Sequence, residues 1–237
     1  MQLINFKNQD ELFDFAADDF IKKAQEVLKH KKYFDVALLG GSTAQSFFHM
    51  LAHKAENIRC LEYTRFFVSD ERAVDLSSDA SNAGNAWRHL LAPLGLRAKN
   101  FFPAFDNSCD AKTAAAKYQT QIKDLLKQDQ NNIPVFDLVY LGIGLDGHTA
   151  SLFPNNNLLR NNLDIVASTD EEIAGFKRIT FMPKLINSAK NICIIASGAN
   201  KASILDKIIK GPLEPFNLPA QFILRAKHTG LMLLTSA

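Results

Sequence analysis

Asp146 and His148 stand two residues apart within Leu-Val-Tyr-Leu-Gly-Ile-Gly-Leu-Asp-Gly-His-Thr-Ala-Ser-Leu-Phe-Pro, residues 138–154 of the chain. An imidazole beside a carboxylate can exchange protons near neutral pH. The apolar run at 138–141 reads as a buried strand that stops at Gly142 and Gly144 and delivers both side chains into a loop. Ligands of open α/β sheets bind at the carboxyl ends of strands, so a titratable pair there has a reason to be catalytic. The local sequence alone is equally compatible with a capping Asp146 and a histidine that merely satisfies a polar neighbour.

Three other segments carry groups suited to an anion. Gly40-Gly41-Ser42-Thr43 follows a strand-like run and opens a helical one, so backbone N–H groups and two hydroxyls can close on a phosphate at a positive helix end. It is neither a Walker A loop nor a GxGxxG turn, which disfavours ATP and NAD. A tight turn with a Ser or Thr cap explains the same residues without a ligand. Ser69-Asp70-Glu71-Arg72 ends a second strand and would reach the same sheet edge if the sheet is parallel; a surface ion-pair cluster is the plainer alternative. Arg178 at the start of a short strand offers a planar fork, and Lys201 in the first turn of a helix offers a point charge.

The elements that must position these residues follow from periodicity. Apolar residues at helical spacing give a first helix through Leu12, Phe13, Ala16, Phe20, Ala24, Val27 and Leu28. The first strand is expected at 34–39, a helix at 45–53, a strand at 64–68, helices at 81–91 and 111–126, and a strand at 137–141. Later strands are expected at 165–168, 179–181, 192–196 and 231–234, with a helix at 199–209. Such alternation specifies an α/β fold, a mostly parallel sheet with helices on both faces. With no internal repeat or linker, residues 1–237 read as a single domain.

The bulk composition narrows the partners. Of 237 residues, 47% are hydrophobic and the net charge is +2, with the basic residues scattered, so no footprint for nucleic acid or membrane appears and no obligate protein partner is evident. Cys60, Cys109 and Cys193 form no CxxC pair and have no histidine at ligand spacing. This argues for a reducing compartment and against a metal site. The first residues lack a signal-peptide pattern and no run is long enough to span a bilayer, so a cytoplasmic location is expected.

Taken together, Leu-Gly-Gly-Ser-Thr at 39–43, Phe-Phe-Val-Ser-Asp-Glu-Arg at 66–72, Ser-Asn at 81–82, the block at 141–154, Arg-Ile-Thr at 178–180, Gly-Ala-Asn-Lys-Ala at 198–202 and Leu-Pro-Ala at 218–220 span nearly the whole chain. In order and spacing they resemble the 6-phosphogluconolactonase family, within the wider group of glucosamine-6-phosphate deaminase/isomerase-like folds. Ala44 departs from the proline usual after Gly-Gly-Ser-Thr, and Asn155, Asn156 and Asn157 depart at the rim of the site. The resemblance implies hydrolysis of 6-phospho-D-glucono-1,5-lactone to 6-phospho-D-gluconate without a cofactor. His148 would then be the general base and Asp146 its orienting partner, with Asp70 bonding substrate or water. Ser42, Thr43, Arg72, Arg178 and Lys201 would hold the 6-phosphate or the sugar hydroxyls. The N–H groups of Gly40 and Gly41 would serve either the phosphate or a developing oxyanion.

Two rival readings make different demands. The related glucosamine-6-phosphate deaminase pattern has Asp-Glu-Tyr where this chain has Asp70-Glu71-Arg72, and an extra acid after the Gly-His, whereas residues 149–163 contain no carboxylate. A non-catalytic sugar-phosphate-binding domain of a transcription regulator would carry a DNA-binding helix-turn-helix ahead of the fold, and only one amphipathic helix is expected before residue 34.

Overall fold

The computed structural model describes residues 1–161, 163–228 and 230–236. In chain order the elements are β1 (Gln2–Phe6), α1 (Gln9–Leu28), β2 (Phe34–Leu38), α2 (Ser42–Ala55), β3 (Thr64–Val68), β4 (Asp70–Arg72), α3 (Asn82–Ala86), β5 (Phe101–Phe102), α4 (Ala111–Leu125), β6 (Leu138–Gly142), β7 (Val166–Ser168), β8 (Arg178–Phe181), α5 (Pro183–Asn187), β9 (Ile192–Ser197), α6 (Ala202–Lys210), α7 (Gln221–Leu224) and β10 (Leu231–Ser236). A seven-stranded sheet has the order β1-β10-β9-β6-β2-β3-β5, and every described pairing in it is parallel.

The central strands are apolar on both faces because each face meets its own core. Val36, Leu38, Leu138, Tyr140, Cys193 and Ile195 enter one cluster with α1 and α2, while Ala37, Val139, Leu141, Ile192 and Ile194 enter the other with α4 and α6. The period-2 alternation of a strand thus divides continuous apolar runs between two layers. Tyr140 illustrates the first layer: its ring packs 4.8 Å from Phe47, and its buried hydroxyl donates to Ala16 O at 3.2 Å.

The sheet order reverses between β2 and β6. From β2 the chain proceeds outward through β3 to β5; from β6 it proceeds the other way through β9 and β10. The crevice beyond the carboxyl ends of β2 and β6 is therefore the topological switch point, where doubly wound sheets bind ligands.

Several expectations need correction. β1, not a strand at 34, comes first; it is an exposed edge strand paired only through β10, so its sequence shows little of the apolar signal of the buried strands. The strands expected at 165–168 and 179–181 do not extend the parallel sheet. They are β7 and β8 of a separate antiparallel sheet, β4-β8-β7, and Asp70 to Arg72, expected at the end of the second parallel strand, forms its remaining strand. The break falls after Val68, whose N–H and C=O are both bonded by the buried Tyr118 hydroxyl, at 3.0 and 3.1 Å. The helix expected at 81–91 is α helical only to Ala86 and continues as a wider turn over Trp87–Leu91. The helix expected at 199–209 begins as a short 3-10 turn, Ala199–Lys201, before α6.

Candidate active site

Gly41 is the N-cap residue of α2, and the cap has no side-chain hydrogen bond. The hydroxyls of Ser42 and Thr43 are therefore not consumed by capping, as the plain-turn reading requires, and both residues line a cavity of about 350 Å³ at the switch point. Gly40 lies against Asn82 so closely that a Cβ there would fall 2.1 Å from Asn82 Nδ2, which excludes a side chain. Asn82 in turn donates to Asp70 O at 2.9 Å and accepts from Gly41 N–H at 3.4 Å, joining the glycine turn to β4.

Across the crevice, the loop after β6 folds back on itself. Gly144 N–H donates to His148 O at 2.8 Å and Gly147 N–H to Gly144 O at 3.1 Å. A Cβ on Gly144 would sit 2.1 Å from His148 Nδ1, so glycine is required for the imidazole to lie where it does. His148 Nδ1 is 2.6 Å from Asp146 Oδ1, which also accepts the His148 backbone N–H at 3.1 Å. A carboxylate accepts only, so in the neutral imidazole the ring proton sits on Nδ1 and the lone pair on Nε2. Burial by itself would raise the Asp146 carboxyl, but the backbone N–H and imidazole of His148 outweigh it and hold the group below the ordinary aspartate range.

The cations gather on the third side. Arg72 and Arg178 are direct cross-strand partners of β4 and β8, where like charges are ordinarily unfavourable. Arg72 Nη1 donates to Ala80 O at 2.8 Å, while its buried Nε has no hydrogen-bond partner among the described residues. Arg178 donates from Nε and Nη2 to Ile173 O. Burial and the neighbouring Arg72 charge lower the Arg178 pKa, with Asp70 and Glu71 pulling the other way. Lys201 Nζ donates to Ile143 O at 2.7 Å; burial lowers its pKa while Asp146 opposes the fall. Two opposed guanidiniums and a partly desolvated amine around one cavity form a site that an anion would stabilise.

Of the residues singled out in the sequence, Gly40, Gly41, Ser42, Thr43, Asp70, Arg72, His148, Arg178 and Lys201 line this one cavity, and Asp146 stands directly behind His148. Glu71 does not join them. The strand pleat turns it inward, where it is buried and accepts from Ser81 Oγ and from the N–H groups of Arg72, Asn82 and Ala83. Ser151 was not anticipated: its buried hydroxyl donates to Asp70 Oδ2 at 2.7 Å, and its N–H donates to Thr180 Oγ1. It lies inside the 141–154 block, so the signal was its position after His148. Ala150 and Ala174 also line the cavity with φ of 49° and 52°, strained values that no periodicity announces. Among the described residues no group of three or more His, Cys, Asp or Glu is placed to hold a metal ion.

The family model for glucosamine-6-phosphate isomerases/6-phosphogluconolactonase matches residues 7–233. The chain is 33% identical over 232 residues to a probable 6-phosphogluconolactonase 2 of Oryza sativa subsp. indica, covering 92% of this chain and 81% of that protein. It is 32% identical to the 6-phosphogluconolactonase of Treponema pallidum, over 78% of this chain and 76% of the relative. Among solved structures, 6-phosphogluconolactonase from Trypanosoma brucei superposes with a TM-score of 0.82 at 25% identity, covering 99% of this chain and 95% of that one. With its switch-point cavity, motif order and near full-length match, this chain belongs to the glucosamine-6-phosphate isomerase/6-phosphogluconolactonase family.

Proposed function

We propose that this chain is a hydrolase that opens 6-phospho-D-glucono-1,5-lactone to 6-phospho-D-gluconate. The observation that carries the reading is the His148–Asp146 couple at 2.6 Å on the same 350 Å³ cavity as Arg72, Arg178 and Lys201. It joins a proton acceptor to an anion site, and relatives sharing about a third of the sequence bear the 6-phosphogluconolactonase name.

In this mechanism His148 Nε2 takes a proton from water as the water oxygen bonds to the lactone carbonyl carbon. Asp146 stabilises the resulting imidazolium through Nδ1–H. The tetrahedral intermediate collapses with cleavage of the bond to the ring oxygen, which receives the proton from His148, leaving a carboxylic acid that ionises. Backbone N–H groups of the glycine turn and the first turn of α2 face the developing oxyanion or the phosphate. Asp70, fixed by Ser151, orients a sugar hydroxyl or the water. An activated ester needs no redox cofactor.

Asp70 is the carboxylate among the described residues lining the cavity, and no second acid stands beside the His148 loop in residues 149–161. That supports hydrolysis over the deaminase-like isomerisation, whose pattern supplies an additional acid. The imidazole paired with a carboxylate is likewise superfluous in a pure sugar-phosphate-binding domain. All three cysteines are free, which suits a reducing compartment, and we place the activity in the cytoplasm. No helix among the described residues is long and apolar enough to cross a membrane.

The test compares two substrates. Arg178→Ala and Lys201→Ala should each lower kcat/KM on the phosphorylated lactone by roughly 30- to several-thousand-fold, as expected when a buried charge loses a partner worth roughly 2 to 5 kcal/mol. Unphosphorylated gluconolactone should be a poor substrate for the parent and respond little to either change. Equal losses on both lactones would withdraw the two cations from phosphate binding, and absence of turnover by the parent would sink the hydrolase reading.

A further inference from the structure

Phe153 also lines the cavity, and neither the mechanism nor the phosphate site uses it. Its ring packs on the His148 imidazole with centroids 4.4 Å apart and planes inclined by 35°. The same ring carries the Arg178 guanidinium, whose central carbon lies 5.7 Å from the Phe153 centroid and 5.7 Å from that of Phe176. One aromatic side chain therefore touches both the base and a cation of the anion site.

The arrangement is held from each end. Asn156 N–H donates to Phe153 O at 3.2 Å, and Asn155, at φ 57°, donates its N–H to Phe216 O at 2.8 Å, fixing the chain just after the ring. Arg178 is tied by Nε and Nη2 to Ile173 O, the carbonyl of a tight turn through Ala174 and Gly175 that Ile173 and Phe176 close with reciprocal backbone hydrogen bonds. His148 is tied to Asp146 through Nδ1. Three groups with restricted rotamers thus meet in one stack, and the aromatic face attracts the guanidinium through its quadrupole.

We propose that Phe153 is a positioning residue: it sets the separation between His148 and Arg178, so that the preference for a phosphorylated lactone depends on this ring. The proposal rests on the hydrolytic reading above. A substrate held by its phosphate at Arg178 presents its carbonyl at a distance fixed by its own carbon chain, and only a base held at the matching distance can activate water against it. A ligand without phosphate does not use this spacing and feels only the effect on His148.

Phe153→Leu keeps an apolar side chain but removes the aromatic face, and Phe153→Tyr restores it; Phe153→Met replaces the leucine variant should that fail to fold. Steady-state kinetics on the phosphorylated and unphosphorylated lactones are the readout. The leucine variant should show a lower kcat on both substrates. Only the phosphorylated one should also show a raised KM, reducing the selectivity ratio by about 3- to 30-fold, the range for losing a cation–aromatic contact. The tyrosine variant should stay within about threefold of the parent on both. Unchanged selectivity in the leucine variant, or a tyrosine variant as damaged as leucine, would overturn the proposal. If the parent turns over neither lactone, the functional reading fails first. The stack is then judged by calorimetric binding of 6-phosphogluconate, which the leucine variant should bind about 3- to 30-fold more weakly than the parent and the tyrosine variant. Equal binding by all three, or none by the parent, would end it.

Discussion

Two contacts that act on different atoms suit His148 to the base role proposed for it. Asp146 fixes the proton on Nδ1, and the absence of a side chain on Gly144 leaves room for the ring. His148→Ala should therefore lower kcat on the phosphorylated lactone by roughly 100- to 10,000-fold, the usual worth of a positioned acid-base group, with an unchanged far-ultraviolet spectrum. Asp146→Asn tests orientation separately. An amide that turns its NH2 toward Nδ1 shifts the ring proton to Nε2 and removes the lone pair the mechanism needs, so kcat should fall while KM changes little. A folded His148→Ala protein with near-parent turnover would remove the imidazole from the chemistry.

At the level of elements, the site depends on how β4 is joined to α3. Glu71 on β4 takes the first N–H groups of α3, from Asn82 and Ala83, together with the Ser81 hydroxyl and its neighbour's N–H at Arg72. It does so where solvent is excluded, and burial outweighs these donors to push its pKa up to about 7, from an ordinary value of 4.5. Between those two pH values the folded protein holds a proton that the unfolded chain has released, so stability falls as pH rises through this window and the full cost is carried above it. The cost is about 3 kcal/mol at about 1.4 kcal/mol per pH unit. Glu71→Gln, which cannot ionise, should gain stability relative to the parent as pH rises from 5 to 8 in urea-unfolding series. Parallel curves for the two proteins would show that Glu71 titrates alike in both states.

For the whole molecule, the site is assembled from both sheets. The helix after β2 and the loop after β6 of the parallel sheet contribute Ser42, Thr43 and His148, and the antiparallel sheet contributes Asp70, Arg72 and Arg178. A ligand that bridges them should stabilise the entire fold, because the unfolded chain has no such cavity. At a 6-phosphogluconate concentration of about 100 times Kd the gain is about 2.7 kcal/mol, which for a chain of this size raises Tm by about 5 to 10 °C. Thermal-shift measurements should show this rise in the parent, little rise with gluconate, and a reduced rise in Arg178→Ala at the same ligand concentration. A shift of equal size with gluconate would mean that the cations do not read the phosphate.

The five inner strands of the parallel sheet, β10, β9, β6, β2 and β3, are legible in the chain alone. Strands such as Thr64–Val68 and Ile192–Ser197 are short apolar runs ended by polar or glycine-rich loops, a local pattern that survives in any context, and the motif blocks mark the loops that follow them. The antiparallel sheet and the cation pair depend on contacts between distant segments. That Arg72 and Arg178 face each other depends on an antiparallel pairing between segments over a hundred residues apart, and short strands such as Asp70–Arg72 carry too few residues to show a period. Whether Glu71 points to the cavity or to the core is set by one step of the strand pleat, which the adjacent carboxylates Asp70 and Glu71 cannot reveal. The edge strand Gln2–Phe6 escaped for the opposite reason, since it buries little and its pairing is supplied by β10 from the far end of the chain. Spacing along a chain records what each segment needs from water, while the meeting of distant segments is fixed only when their buried faces and hydrogen bonds are satisfied together.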